Sequence, residues 1–409
     1  MPERRDLGPA FSSLLTATFI TNIGDGIRLA TLPLLATTLT DSPLLVTAVT
    51  AAQFFAWPTF GPIGGVIVDR ADRRRLIMFT QTWRALVMAV LAVAVATDSV
   101  AIWHLCLVAF VITVGEIQVD PSVVATVPTL VDMDDLDRAN GRISTTETVS
   151  NDFAGGPVGA MLFAVAPWAP FLVDAASYLL SVLPFSRLPS QGKPPRIGPT
   201  RIGHGTEDTS SVWKEMGEGF RWLASHPFLR PWTQGVTVFN VGVAGAFSLL
   251  VLLVVDVLLA SELAFGFVLA AAALGATGGA LLAPRLTERI SRASVVVGAA
   301  VVTGGSVLLA SVVTETWQLI VVWIANGAAA GISLAIGRGF IQRYTPNELL
   351  GRTSIASRTI TRTSFVIGAL AAGAVADASS VRVSFALAGA VQLVGAALFA
   401  RAFRHEPTG

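Results

Sequence analysis

Cysteine is nearly absent from this chain. The single one, Cys106, lies inside an apolar run, so no disulfide framework and no cysteine-based metal site can form within one chain. Charge is scarce as well: 13% of the 409 residues are Asp, Glu, Lys or Arg, against about a quarter in a typical soluble domain. No Gly-Lys-Ser/Thr phosphate loop occurs, which excludes an ATP-driven pump encoded in this chain, and no His/Cys cluster has metal-ligand spacing. The sequence therefore predicts neither an enzyme nor a bound cofactor or metal. A short apolar segment ending in a cleavage site is also missing near the amino terminus. Arg4 and Arg5 lead into a long apolar stretch, which reads as a retained first helix.

What is abundant is apolar surface. Hydrophobic residues make up 53% of the chain and the mean hydropathy is +0.66, too much for one soluble core and suited to contact with lipid. A membrane-spanning helix needs about 20 mostly apolar residues. About twelve such runs are present, at roughly 11–38, 43–68, 76–96, 101–127, 143–166, 169–187, 231–256, 263–283, 293–313, 317–340, 354–376 and 382–402.

The net charge of +1 hides a strong asymmetry. Basic residues fill alternate connections: Arg70, Arg73, Arg74 and Arg75; then seven between Arg187 and Arg230; then Arg285, Arg289 and Arg292; then Arg343 and Arg352. The opposite connections hold Asp41, Asp98, Asp256, Glu262, Glu315 and Asp377, with Arg382 as their one basic residue. The positive-inside rule then predicts both termini in the cytoplasm of a multi-pass protein of the bacterial inner membrane. Basic residues placed this way set orientation and do not mark a nucleic-acid partner.

The one long polar stretch is 188–230. From Pro189 to Thr209 it is rich in Pro, Gly and Ser and reads as linker. Beyond that, Val212, Met216, Phe220 and Leu223 recur at helical spacing, with Lys214, Glu215, Glu218 and Arg221 on the other face. This predicts a short amphipathic helix on the membrane surface, ended by Pro227. The chain thus divides into 1–187, the linker 188–230, and 231–409. The two large parts share weak internal similarity: Gly141-Arg142-Ile143-Ser144 against Gly351-Arg352-Thr353-Ser354, and Gly64-Gly65 against Gly278-Gly279.

The most specific local signal is Gly65-Val-Ile-Val-Asp69-Arg70-Ala-Asp72-Arg73-Arg74-Arg75. It resembles the motif that joins the second and third helices of the major facilitator superfamily, with Asp72 where that motif often has Gly. The resemblance implies two six-helix bundles that rock around a central cavity lined by the first, fourth, seventh and tenth helices. It further implies that Asp69 latches onto the start of the eleventh helix, near Thr353, supported by Gly65, Arg70, Arg73 and Arg74. An anion at a helix amino terminus is favoured by the dipole, and Gly65 is expected to let the second helix pack closely on a neighbour. In the fifth run, Gly155-Gly156-Pro157-Val158-Gly159 partly matches the Gly-Pro motif of exporting members, which carries a further Gly where this chain has Ala160; Gly156, Pro157 and Gly159 are the residues in question. Gly24-Asp25, Ser42-Pro43, Leu136-Asp137-Arg138-Ala139-Asn140 and Leu349-Leu350-Gly351-Arg352 are similar to the branch of enterobactin exporters and macrolide efflux proteins.

Ionisable groups inside a membrane cost about 2.5–3.5 kcal/mol each on insertion scales, so each is a candidate for function. Asp25 lies about 14 residues into the first run, roughly 21 Å at 1.5 Å per residue, and Arg28 shares its face. Glu116 and Asp120 are four apart on the fourth run, and two like charges in low dielectric suit a proton carrier. Asp25, Glu116 and Asp120 are the expected proton-coupling residues. Arg84 is expected to pair structurally with Glu147, Asp152 or Asp174. Asn22, Arg28, Phe239, Asn240 and Asn326 are the expected cavity residues. His104 sits near the outer surface, so coupling falls to carboxylates. The sequence predicts an all-α membrane protein that exports a small organic molecule by proton antiport and works as a single chain. The alternatives are an uptake permease of the same fold and a sensor or scaffold that transports nothing.

Overall fold

The structure, a computed structural model, describes residues 7–189 and 209–404. The linker stretch 190–208 and the side chains of Asp69, Arg70 and Asp152 lie outside the described residues. Among the described residues all regular structure is helical.

The helices are α1 Pro9–Leu39, α2 Pro43–Arg70, α3 Arg73–Ala96, α4 Ile102–Thr126, α5 Leu136–Glu147, α6 Gly156–Val165, α7 Ala169–Ser186, α8 Thr209–Ser225, α9 Leu229–Leu252, α10 Glu262–Arg289, α11 Arg292–Ala310, α12 Thr316–Tyr344, α13 Asn347–Ala378 and α14 Val381–Phe403. Ten helices among the described residues are long and apolar enough to cross a membrane. Two further rods have the length to cross beside them, in keeping with a count of about twelve. One is α1, whose threonines, Asp25 and Arg28 dilute its hydropathy. The other runs from α5 to α6 and is longer than its apolar run, because the polar turns Leu136–Arg142 are helical too. Its middle, Thr148–Gly155, is a π-helix. Pro157 has no N–H to return to the preceding turn, and a π-helical stretch is one way a helix absorbs that loss.

Short polar residues start the helices where the sequence turns back. The Ser42 hydroxyl accepts the N–H of Leu45, and Ser261, Ser291 and Ser380 cap α10, α11 and α14 in the same manner. Asp72, the departure from the superfamily motif, caps α3 by accepting the N–H of Arg75 at 3.1 Å. Arg382, the basic exception among the acidic connections, donates to the carbonyls of Ser311 and Val313 at 2.9 and 2.7 Å, beyond the carboxyl end of α11 where a cation is favoured.

Small residues set how closely the helices approach. On α10 and α12 the pairs Gly275/Gly279 and Gly327/Gly331 face each other's backbone: a Cβ on any of the four would lie 2.0–2.1 Å from a carbonyl oxygen of the partner helix. This is the small-xxx-small packing of membrane helices, made reciprocal. Gly65 departs from expectation. It is exposed and a Cβ there would meet nothing within 4 Å, whereas its neighbour Gly64 faces Ile117 of α4. Close packing of α2 falls to Gly64 because the helix turns that side toward α4.

Apolar packing is uneven along the long axis. At the end away from the arginine-rich connections, one core runs through both halves and includes Leu34, Met88, Leu105, Leu250, Val254, Val307 and Phe385. At the arginine-rich end the core splits in two. Phe11, Ile77, Val123 and Phe185 pack in the amino-terminal half, and Leu223, Phe228, Trp232 and Phe399 in the carboxy-terminal half. The halves are joined by α2 against α13 and α6 against α10. At the shared end, Ser42 donates to Asp377 at 2.9 Å and Gly373 admits Thr47. Among the described residues the apolar core is therefore continuous between the halves at one end and divided at the arginine-rich end.

A comparison of two glycines tests this packing. At Gly26 a Cβ would lie 2.3 Å from the backbone oxygen of Asn151, so Gly26→Val must force α1 off the π-helical stretch. The expected cost is about 1–3 kcal/mol, seen as a lower melting temperature and lower monodisperse yield in detergent. Gly65→Ala should leave both unchanged; equal damage from the two variants would show that the packing is misassigned.

Candidate functional site

The amino-terminal half encloses a cluster of charged side chains drawn from four helices. From α1 come Asp25 and Arg28, from α3 Gln81 and Arg84, from α4 Glu116, and from α7 Asp174 and Tyr178. Glycines give it room. A Cβ on Gly24 would sit 2.3 Å from Oδ1 of Asp174, and one on Gly115 would sit 2.7 Å from Cδ of Arg84.

Asp25 is the hub. Its Oδ1 accepts from Arg84 Nη2 at 2.8 Å, Tyr178 Oη at 2.5 Å and Arg28 Nη2 at 3.2 Å. Arg28 Nη2 also donates to Oε1 of Glu116, which Arg84 Nη2 approaches at 3.5 Å. Arg84 donates further to Tyr178 Oη at 2.8 Å and to Gln81 Oε1 at 3.0 Å. The Gln81 amide in turn donates to Ser181 at 3.3 Å, and the Arg84 guanidinium lies 4.1 Å from the centre of the Tyr178 ring, a cation–π contact. Asp174 is fully buried; its Oδ2 lies 3.8 Å from Arg28 Nε and accepts no hydrogen bond. The arginine side chains are 3% and 2% exposed, so neutralisation must come from the cluster and not from water. With all groups ionised, three carboxylates face two guanidiniums.

Two expectations change here. Glu116 and Asp120 differ in their direct contacts. Glu116 turns to Arg28, while Asp120, one turn closer to the arginine-rich end, is exposed where the halves part and has no ion-pair or hydrogen-bond partner among the described residues. Arg84 pairs with Asp25 and Glu116 instead of Glu147 or Asp174; α3 lies between α4 and α7, which aims its side chain at the centre of the bundle. Tyr178 escaped notice in the sequence because a lone tyrosine in an apolar helix reads as packing. The spacing Asp174-x-x-x-Tyr178, one helical turn, was the available signal. Asn22 donates to the Thr18 carbonyl of its own helix at 2.8 Å and joins neither this cluster nor the cavity described next.

The carboxy-terminal half holds a cavity of about 440 Å³ between α9, α11, α12, α13 and α14. Phe239, Asn240 and Asn326 all line it, as expected from the sequence. Trp232, Val236, Val243 and Phe399 make most of its wall apolar, and Thr303 and Ser333 add polar points. Asn326 Nδ2 donates to the Thr303 carbonyl at 3.2 Å. An apolar wall with a few amides and hydroxyls suits a small organic molecule.

At the arginine-rich end, Arg73 Nη1 donates to the Ala125 carbonyl in the last turn of α4 at 3.0 Å, so this arginine ties α3 to the carboxyl end of α4. Arg74 packs beside it, half-buried. The latch partners Asp69 and Arg70 lie outside the described side chains. The start of α13 is engaged from the other side, where Arg352 pairs with Glu218 of α8. The Gly-Pro motif sits at the seam between the halves. Gly159 faces Ile27 of α1, while Gly156 and Pro157 face Gly266 and Leu269 of α10.

Comparison with known proteins fits this arrangement. Solved structures with the same fold include a mutant form of the nucleoside transporter NupG (TM-score 0.78, 12% identity, 96% of this chain and 100% of that one). A bacterial homologue of the iron transporter ferroportin in an inward-facing state also matches (TM-score 0.73, 16% identity, 96% and 98%). Among curated sequences, macrolide efflux protein A of Streptococcus pyogenes is 25% identical over 126 residues, 31% of each chain. The Enterococcus faecalis protein of that name is 26% identical over 121 residues, 30% of this chain and 37% of that one. These alignments span about a third of the relatives' length. The model of the transmembrane secretion effector family matches residues 7–406. With nearly its whole length matched and the fold in agreement, the chain belongs to the transmembrane secretion effectors, a family of major facilitator transporters and not of enzymes.

Proposed function

We propose that this protein exports a small, largely apolar organic molecule in exchange for protons. The observation that carries the coupling is the imbalance of three carboxylates around two buried arginines. One proton on Asp25, Glu116 or Asp174 brings that cluster to neutrality, and its loss leaves a negative charge that low dielectric penalises. Asp120, exposed one turn nearer the open end, is positioned to pass the proton between the cluster and the aqueous opening. Cargo occupies the cavity around Phe239, Asn240 and Asn326. The two halves, 1–187 and 231–409, rock against each other about the α2–α13 and α6–α10 seams. Asp69 closes the arginine-rich side on α13.

Outward direction is supported by Gly156, Pro157 and Gly159 at the α6–α10 seam and by the likeness to macrolide efflux proteins. The arginine-rich connections favour both termini in the bacterial cytoplasm, and each chain carries a complete set of helices for work as a monomer. Drugs, siderophores and secondary metabolites all have the required chemistry.

Inverted vesicles test direction and coupling together. With an inside-acid gradient and a panel of lipophilic probes that includes a labelled macrolide, the wild type should accumulate probe, and a protonophore should abolish this. Glu116→Gln, Asp174→Asn and Asp25→Asn should keep downhill exchange but lose gradient-driven accumulation. Full accumulation by all three would remove the cluster from the coupling path. Accumulation that ignores the protonophore and follows sodium would remove protons altogether.

The cavity is tested separately. Ala330 also lines that cavity, and Ala330→Phe fills it without touching the charged cluster. It should raise the KM for the transported probe about tenfold, the scale of about 1.4 kcal/mol, while probe-independent proton leak stays at the wild-type level. An unchanged KM would place cargo elsewhere.

A further inference from the structure

Where α8 turns into α9, at the arginine-rich end, the surface carries a recess of about 500 Å³. Its polar lining is Ser225, His226, Arg230, Gln234 and Arg401. Arg230 stands in the first turn of α9 and Arg401 in the last turn of α14. Among the described residues no acid lines the recess and neither arginine forms an ion pair. His226 accepts the backbone N–H groups of Phe228 and Leu229 through Nδ1, at 3.2 Å each. The neutral ring therefore carries its proton on Nε2, and burial holds the ring's pKa below the usual histidine value. With its arginines, amide and imidazole N–H, the recess is rich in hydrogen-bond donors.

A second feature adjoins it. A mostly apolar groove of about 420 Å³ runs between α8, α9 and α13, with Phe220, Leu223, Val238 and Ile360 in its walls. Arg230 and Gln234 line both recess and groove, so the two are continuous, polar at one end and apolar along the other. Depth fits as well. The apolar spans Leu229–Val257 and Val381–Phe403 both end here, which puts Arg230 and Arg401 at the level of lipid headgroups.

We propose that recess and groove form a binding site for one anionic phospholipid. Its phosphodiester lies between Arg230 and Arg401, where charge-assisted hydrogen bonds hold it, and one acyl chain lies in the groove along Phe220 and Val238. A free phosphate would satisfy the arginines but leave the groove unused, so the two features together select the lipid. Thr233 and Ile360 belong both to the groove and to the cavity of the carboxy-terminal half, so the bound chain lies against that cavity's wall.

The test uses the full chain in neutral detergent, titrated with palmitoyl-oleoyl-phosphatidylglycerol, with the phosphatidylcholine of the same chains, and with inorganic phosphate. Bound lipid is read by native mass spectrometry and by melting temperature. Phosphatidylglycerol should bind and raise the melting temperature; the other two should do neither. Arg230→Gln and Arg401→Gln should each weaken phosphatidylglycerol binding about fivefold, the scale of one basic residue at an anionic surface. Arg230→Lys and Arg401→Lys should retain most of it. Val238→Asn should weaken the long-chain lipid but not its dihexanoyl analogue. The control Arg285→Gln/Arg292→Gln, basic residues at the same end outside the recess, should have no effect. Equal weakening by that control would reduce the effect to general surface charge and overturn the site. A shift from inorganic phosphate equal to that from phosphatidylglycerol would overturn the lipid assignment. If the Gln variants melt below the wild type without lipid, the Lys variants decide: loss of binding there also overturns the proposal.

Discussion

Two guanidinium groups buried among the amino-terminal helices impose the arrangement of everything around them. Arg28 and Arg84 have almost no access to water, and an arginine in that position is tolerable only beside carboxylates. Asp25 and Glu116 meet this need directly, Asp174 at slightly longer range. The helices that deliver these groups are thereby fixed: α1 must face α7, α3 must lie between α4 and α7, and the glycines at 24 and 115 must be small. Tyr178 and Gln81 then accept further hydrogen bonds from Arg84. The same requirement that orders the helices leaves one acid in excess of the bases, so the structural solution and the proposed proton site are one object.

The carboxy-terminal half is built on another principle. Among its described membrane-spanning residues no comparable charged cluster occurs, and α10 and α12 are held by reciprocal glycines in backbone contact. Close approach of those two helices leaves α9, α11, α12, α13 and α14 to surround the apolar cavity. Arg362 of α13 stands apart from both patterns. It lies 4.6 Å from the Trp57 ring centre and 5.4 Å from that of Phe54, so a cation of one half rests on aromatic rings of α2 in the other. Aromatic faces neutralise less than a carboxylate does. That suits a seam about which the halves are proposed to rock.

Much of this was legible in the sequence, and the reason lies in solvent. Lipid admits only helices and closed barrels as spanning structures, and apolar runs of about 20 residues fit helices, so the spans follow from those runs and the alternate arginines follow from topology. Asn240 of α9 and Asn326 of α12 could be assigned to a cavity because an amide in an apolar helix needs polar surroundings. Partnerships between helices were not legible. Arg84 had three acids of similar depth to choose from, and only the packing of α3 shows that it takes Asp25. Glu116 and Asp120 share a helical face by spacing, yet Glu116 is largely enclosed against Arg28 while Asp120 is exposed. Gly65 and Gly64 are identical in type, and only the rotation of α2 distinguishes them.

The separation of roles bears on how coupling can work at all. A charge change in the amino-terminal cluster and a molecule in the carboxy-terminal cavity share no direct contact, so any coupling between them must act through the relative position of the halves. Two seams carry that position, α2 on α13 and α6 on α10. The α6–α10 seam is tied to the cluster through the same helix that holds Asp25 and Arg28, because Gly159 packs on Ile27 while Gly156 and Pro157 pack on α10. On the proposed function, a shift of α1 as the charge balance changes reaches the carboxy-terminal half through Gly156, Pro157 and Gly159, three residues within one turn of α6. The π-helical stretch behind them gives α6 a backbone that can change pitch without losing all its hydrogen bonds. In the proposed exchange, the Gly-Pro motif is thus the linkage between the charged cluster of one half and the apolar cavity of the other.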